Sequence, residues 1–171
     1  MISQTVEYAL RAVVTLAQHE GSACTAQQLA EWTQVPSAYL SKLMQGLVRA
    51  ELVSSRRGLN GGFVLARSPD SITLWDVVDA LEPFQRITRC PLNLHGHGVN
   101  LCPLHRLLDD AMAAAELQLR ETRVSDVVAE KGRVTPLCDP SRQVVACTLP
   151  LDASRSVDAA EAKARRTVRP R

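Results

Sequence analysis

The sequence predicts a mainly α-helical fold: a winged helix-turn-helix domain with a two-stranded β wing, followed by a long C-terminal dimerisation helix. Three observations predict it. Apolar residues recur at helical spacing in two segments before residue 51, with a capping box opening a short helix between them; a glycine-rich hairpin pattern follows; and a later apolar stripe is too long for one small domain to cover. The 171 residues, 46% hydrophobic and 22% charged, suffice for one ordinary domain with an appendage and a real core.

Residues 3–18 place Val6, Leu10, Val13, Val14 and Ala17 on one side of a helix and Gln4, Glu7, Arg11 and Gln18 on the other. Gly21 and Ser22 break it. Thr25, with Gln28 three residues on, predicts a capping box for a short second helix ending near Thr33. Val35, Pro36 and Ser37 form the turn, and a third helix spans residues 37–50 with Leu40, Leu43, Met44 and Leu47 inward. Two short helices joined this tightly make a helix-turn-helix. The period then changes to that of strands at residues 52–57 and 63–67, around a loop in which Gly58, Gly61 and Gly62 permit positive φ and close backbone approach. Pro69 ends this unit, and Thr73 with Asp76 caps a helix whose Leu74, Val77, Val78 and Leu81 form one face.

Residues 83–101 lack a sustained period and read as a loop. Pro103 occupies a favoured first helical position, opening a helix to about residue 123, roughly 30 Å long. Its stripe of Leu104, Leu107, Leu108, Ala111, Met112, Ala115 and Leu119 calls for a partner helix. A further helical turn is expected at 125–130, and the Ala-, Ser- and Arg-rich residues beyond 152 lack large apolar groups. The predicted organisation is therefore a winged helix-turn-helix domain at 1–82, a Cys/His loop at 83–102, a dimerisation region at 103–131 and a largely flexible extension at 132–171.

Composition excludes several functions. With aromatics at 4%, a protein that stacks successive bases of a single strand lacks its main tool. A net charge of +2, from 20 basic and 18 acidic residues, leaves polyanion binding to local clusters. Apolar runs fall short of the roughly 18 residues of a membrane span, so no membrane partner is expected. An odd count of five cysteines, without a charged-then-apolar leader pattern, points to the reducing cytoplasm.

In a helix-turn-helix the second helix enters the major groove of double-stranded DNA. Here its outer face carries Ser37, Tyr39, Ser41, Lys42 and Gln45, with Gln45 suited to adenine and Lys42 to guanine or phosphate. The capped helix start at Thr25 and Gln27 offers amides to a phosphate. Arg56, Arg57, Asn60 and Gly61 of the wing suit the backbone or minor groove. A merely solvated polar face is the plain alternative for the helix pair alone; the basic wing favours DNA.

These residues also resemble a family. The run Leu52-Val-Ser-Ser-Arg-Arg-Gly-Leu-Asn-Gly-Gly-Phe-Val-Leu-Ala-Arg67, with Ile72-Thr-Leu and Ala80-Leu-Glu82, is similar to the signature of the Rrf2 winged-helix transcriptional regulators. Tyr8-Ala-Leu10, Tyr39-Leu40 and the long helix after Cys102 extend the likeness over roughly residues 1–130. The resemblance implies a homodimer joined by the long helix that binds an imperfect palindrome with two recognition helices.

Cys90, His95, His97, Cys102 and His105 gather two thiols and three imidazoles in a loop that ends at a helix N-terminus. Cys102 and His105, three apart, point to one side there. Soft sulfur with imidazole suits zinc or an iron–sulfur cluster better than magnesium or calcium. In the iron–sulfur and nitric-oxide sensing branches that the chain resembles, three cysteines of this loop hold a cluster, with a fourth ligand from a histidine or acidic residue. Cys90 matches the first cysteine, Cys102 the third and His105 the histidine one turn on, while Gly96 falls on the middle cysteine. The resemblance thus implies a 2Fe-2S or 4Fe-4S centre, with His95 or His97 substituting for that cysteine. Glu7 matches a position from which some members supply a carboxylate across the dimer; four residues from Arg11, it equally makes an ordinary surface ion pair. The other reading keeps DNA binding with structural zinc or no metal, and regulation by a small ligand or protein partner. An enzyme built on Cys102 and His105 would lack an orienting acid and an oxyanion hole, so no catalysis is expected.

Overall fold

A computed structural model describes residues 2–58, 61–90 and 101–130. Among these, the chain forms α1 (Gln4–Gln18), α2 (Ala26–Thr33), α3 (Ser37–Arg49), β1 (Val53–Arg56), β2 (Gly62–Leu65), α4 (Leu74–Asp79), α5 (Pro103–Glu121) and α6 (Val124–Ala129), with a single 3₁₀ turn at Pro69–Ser71.

The helix starts follow from their caps. Ser3 accepts from the Val6 amide at 3.2 Å, and Thr25 with Gln28 and Thr73 with Asp76 form the two expected capping boxes. Between α2 and α3, Gln34 takes the left-handed conformation (φ 58°), which reverses the chain within three residues.

Helix α1 lies at the centre. Its second half is buried nearly all round, Ala12 through Ala17, because α2, α3, α4 and α6 all pack on it. Leu29, Val35, Leu40, Met44, Leu47, Leu52, Ile72 and Val77 complete one core, each large side chain contributing about 1.5–3 kcal/mol by leaving water. The core reaches past residue 82, since Val124 of α6 is fully buried in it. A smaller cluster joins Val6, Trp75 and Val78, with Phe84 and Leu119 packed against it.

Several boundaries differ from the sequence expectation. The strands are shorter, pairing antiparallel from Val53 with Leu65 to Arg56 with Gly62, because Leu52 turns into the core and its amide bonds the Leu47 carbonyl at 3.1 Å. Helix α4 ends at Asp79, and its buried residues include Trp75, which the expected apolar face omitted. Helix α5 stops at Glu121 because Thr122 and Arg123 turn extended: the Thr122 carbonyl accepts from Leu74 N and Val124 N donates to the Ile72 carbonyl, each at 2.9 Å. That small bridge stitches the end of α5 to the winged domain. It also lets α6 begin at Val124 and fold back. The expected extension at 132–171, with Cys138 and Cys147, lies outside the described residues. Among the described residues no helix is long and apolar enough to cross a membrane.

Candidate functional site

The polar face of α3 forms as its periodicity requires. Leu40, Leu43, Met44 and Leu47 are buried, so Ser37, Ser41, Lys42, Gln45 and Arg49 stand on the opposite, exposed side. Ser41 donates to the Ser37 carbonyl at 2.9 Å and Arg49 Nε to the Gln45 carbonyl at 3.2 Å, leaving Lys42 and the Gln45 amide group outward. Tyr39 is 39% exposed but anchored: its hydroxyl lies 2.6 Å from Thr5 Oγ1 and its ring meets Tyr8 edge-on at 5.8 Å. Thr25 and Gln27 are exposed at the start of α2.

The wing is fastened to that helix start. Phe63 N donates to the Cys24 carbonyl at 2.8 Å, and Cys24 N to the Phe63 carbonyl at 2.9 Å. A Cβ at Gly62 would lie 2.5 Å from the Cys24 carbonyl oxygen, so this glycine is required by close approach. The surface that Gly62 admits is thus the chain's own backbone one residue before Thr25. Gly61 donates its amide to the Gly58 carbonyl at 2.9 Å, and Arg56 and Arg57 project from the tip into solvent. Asn60 lies outside the described residues.

A brace from α1 extends the ion pair that the spacing of Glu7 and Arg11 predicts. Arg11 Nε pairs with Glu7 at 2.5 Å, its Nη1 donates to the Thr33 carbonyl at 3.0 Å, and its guanidinium lies 5.5 Å from the Tyr8 ring centre. Glu7 therefore orients an arginine that caps the end of α2 at the helix-turn-helix turn. The Glu7 to Arg11 spacing signalled the ion pair; the reach to residue 33 has no local signature.

The second site gathers at the start of α5. Cys102 is its N-cap residue, and Cys102 Sγ lies 3.2 Å from His105 Nδ1. Cys90, only 6% exposed, brings its sulfur to 4.0 Å from the same nitrogen. Cys90, Cys102 and His105 are thus brought together across 15 residues of chain. These donors suit a soft or borderline metal, although among the described residues no group of three or more is arranged as a finished metal-binding set. A closed site needs a further ligand. His95 and His97 lie outside the described residues, and Glu7 is engaged by Arg11.

Cys90 hangs from a segment, 82–90, without helix or strand. Arg86 Nε and Nη2 donate to Asp109 Oδ1 and Oδ2 at 2.6 and 2.7 Å, and Ile87 N adds a bond to Oδ1 at 2.9 Å. Hydrogen bonding to Arg86 foremost, with the Ile87 amide assisting, holds the Asp109 carboxyl below the usual carboxylate range; the same contact raises Arg86. Upstream, Phe84 packs edge-on against Trp75 at 5.5 Å.

No residue of α5 is buried. Leu104 is 60% exposed and Leu107 68%, with Leu108 also open, so among the described residues the first half of the expected stripe faces outward and is left uncovered; Leu117, outside that stripe, is exposed as well. Near its far end Leu119 leans on the Trp75 cluster and Arg120 lies over the Trp75 ring at 4.5 Å.

Comparisons with known proteins agree with this architecture. Residues 2–130 match the model of the Rrf2 family, described as an iron-dependent transcriptional regulator. A putative HTH-type transcriptional regulator of Aquifex aeolicus is 28% identical over 131 residues, covering 75% of this chain and 91% of that protein. The HTH-type regulator IscR of Sodalis glossinidius is 28% identical over 125 residues, covering 72% and 76%. Among solved structures, CymR, the global cysteine regulator of B. subtilis, superposes with a TM-score of 0.62 at 29% identity, covering 74% of this chain and 95% of that one. IscR of T. potens gives 0.65 at 26%, covering 79% and 92%. With the family model spanning the helix-turn-helix, the wing and the long helix, the chain belongs to the Rrf2 family of winged helix-turn-helix transcriptional regulators.

Proposed function

We propose that this DNA-binding regulator acts as a homodimer on a palindromic operator and takes its signal at Cys90, Cys102 and His105, where an iron–sulfur cluster (2Fe-2S or 4Fe-4S) is held. The convergence of both sulfurs on His105 Nδ1 carries this reading. The family is one of regulators, not catalysts.

On DNA, α3 enters the major groove with Ser37, Ser41, Lys42 and Gln45 toward base edges and phosphates, and Tyr39 at its rim. Thr25 and Gln27 meet a phosphate at the start of α2. Arg56, Arg57, Asn60 and Gly61 follow the backbone or minor groove. Because Cys24 ties the wing to α2, these contacts move as one body. The open leucines of α5 support the homodimer: a second copy laying the same helix alongside would cover them with a self-complementary, two-fold interface. Two recognition helices would then address half-sites about 34 Å apart.

At the sensor, Cys90, Cys102 and His105 supply three ligands, and His95, His97 or Glu7 of the partner subunit supplies a further one. When bound, such a cluster would supply redox chemistry at these ligands, and its loss would free Cys90 and Cys102 from a shared centre. Cys102 opens α5, and the Thr73 to Arg123 bridge fixes the other end of α5 to the winged domain. A shift at the ligands therefore reaches the spacing of the recognition helices as a population shift between two arrangements.

Anaerobic purification followed by absorption spectroscopy and iron, sulfide and zinc analysis tests the occupant. Visible absorption with iron and sulfide, lost in Cys90→Ser and Cys102→Ser, is the expected result. A colourless protein holding stoichiometric zinc, or no metal, would overturn the cluster. The second reading would then stand: the same DNA-binding regulator with structural zinc or none, controlled by a small ligand or a partner protein. Gly96, at the position of the middle cysteine, is the observation that favours it.

A further inference from the structure

Cys102, His105 and Asp109 share one face of α5, since spacings of three and four residues align side chains on a helix. Segment 82–90 runs along that face with Ile87 at Asp109 and Cys90 at His105. The segment forms no helix or strand, so its path depends on side-chain anchors. Two are evident: Phe84 on Trp75, and the Asp109 carboxylate, which accepts from Arg86 Nε, Arg86 Nη2 and Ile87 N. The second lies only three residues before Cys90.

We infer that Asp109 is the positioning residue of the sensor site: by clamping Arg86 and Ile87 it sets the Cys90 sulfur against His105. The inference rests on the reading of Cys90, Cys102 and His105 as that site. Asp109 touches neither sulfur and acts through the backbone of 87–90. Its carboxylate is a better clamp than an uncharged acceptor because a bidentate arginine contact fixes orientation as well as distance. The same segment continues to Phe84 in the Trp75 cluster, where Val6 of α1 also packs. Asp109 thereby keeps Cys90 on a short, fixed lead to the winged domain, so that a change in the bonding of Cys90 is felt there and not absorbed by slack chain.

The test uses the full chain, reduced and metal-free, with alkylation by iodoacetamide followed cysteine by cysteine by mass spectrometry. Cys90 is 6% exposed and Cys24 is 0%, so Cys24 gauges global opening. In Asp109→Ala, Cys90 should label about five- to tenfold faster while Cys24 keeps its wild-type rate, as expected for local opening of one segment. Arg86→Ala, which spares the Ile87 bond, should move Cys90 the same way by a smaller factor. Cys90 rates within about twofold of wild type in both variants would overturn the inference, since a tenfold effect requires only about 1.4 kcal/mol. So would equal acceleration of Cys24 and Cys90 in both, which would make Asp109 a general stabiliser. If Asp109→Ala fails to fold, Arg86→Ala decides by the same criteria. The absence of bound metal in wild-type protein would defeat the cluster reading yet leave this comparison of rates intact, so the two failures are distinguishable.

Discussion

Replacing Gly62 with alanine strikes the joint between the wing and the start of α2. The added Cβ would sit 2.5 Å from the Cys24 carbonyl oxygen, whereas ordinary contact begins at 3.4 Å, so the two backbones must part by about 0.9 Å. Both neighbours of the clash are hydrogen bonds, at 2.8 and 2.9 Å between Cys24 and Phe63. Stretched to about 3.7 Å they no longer qualify as hydrogen bonds. At about 0.5–1.5 kcal/mol net for each, the loss is about 1–3 kcal/mol. For a domain of this size that lowers the melting temperature by roughly 4–12 °C. Thermal or urea unfolding of Gly62→Ala measures it directly. Binding to operator DNA at fixed salt should weaken as well, because Arg56 and Arg57 lose their register with α3. An unfolding free energy within about 0.5 kcal/mol of wild type would mean that the wing does not press on residue 24.

Three further outcomes are expected. Arg56→Ala with Arg57→Ala should weaken operator binding and reduce its salt slope by about one per lost phosphate contact; an unchanged slope in a titration from low to high salt would take the wing off the DNA backbone. Leu107→Glu, at a leucine 68% exposed in the isolated chain, should raise the dimer dissociation constant by about 100-fold, because two-fold symmetry counts the lost burial of about 1.5 kcal/mol twice; an unaltered mass in sedimentation equilibrium would remove α5 from the interface. The Asp109 carboxyl is held below its ordinary value, so the clamp on Arg86 and Ile87 is fully present above the ordinary carboxylate range and is lost as the pH falls through the depressed folded value. The Ile87 amide resonance should therefore shift with an inflection below pH 3.8, the carboxyl's ordinary value, and in Asp109→Asn that inflection should vanish; its persistence would assign it to another group.

Local chemistry made most of the fold legible. Thr25 with Gln28 and Thr73 with Asp76 announced helix starts because a capping box is written within four residues, and Pro103 announced α5 for the same reason. The four inward residues of α3 were legible from their spacing. What escaped was contact between distant segments. Arg86 and Asp109 are 23 residues apart, and neither carries a mark of the other. Trp75 lies outside the Leu74, Val77, Val78 and Leu81 stripe of α4 because its partners, Val6 and Phe84, come from segments before and after that helix. Helix α5 ended early for a reason lying in Ile72 and Leu74, far upstream.

The candidate sites divide the same way. Lys42, Gln45, Arg56 and Arg57 are exposed where periodicity and the hairpin placed them. Tyr39, placed on the same face by periodicity, turns its hydroxyl to Thr5 of α1, a contact that helical spacing within α3 does not encode. Cys102 and His105 are neighbours by their three-residue spacing, but the approach of Cys90 comes through segment 82–90, which touches Asp109 at Arg86 and Ile87.

The proposed coupling is that the state of the Cys90, Cys102 and His105 site sets the grip on DNA. It is tested most directly by the dissociation constant for a duplex that the protein itself selects from a random pool, measured at one salt concentration before and after chelation of the anaerobically purified protein. Coupling of the usual size predicts a change of about tenfold or more, absent when Cys102→Ser is treated identically. Equal constants for the two forms of the wild-type protein would uncouple this site from DNA binding.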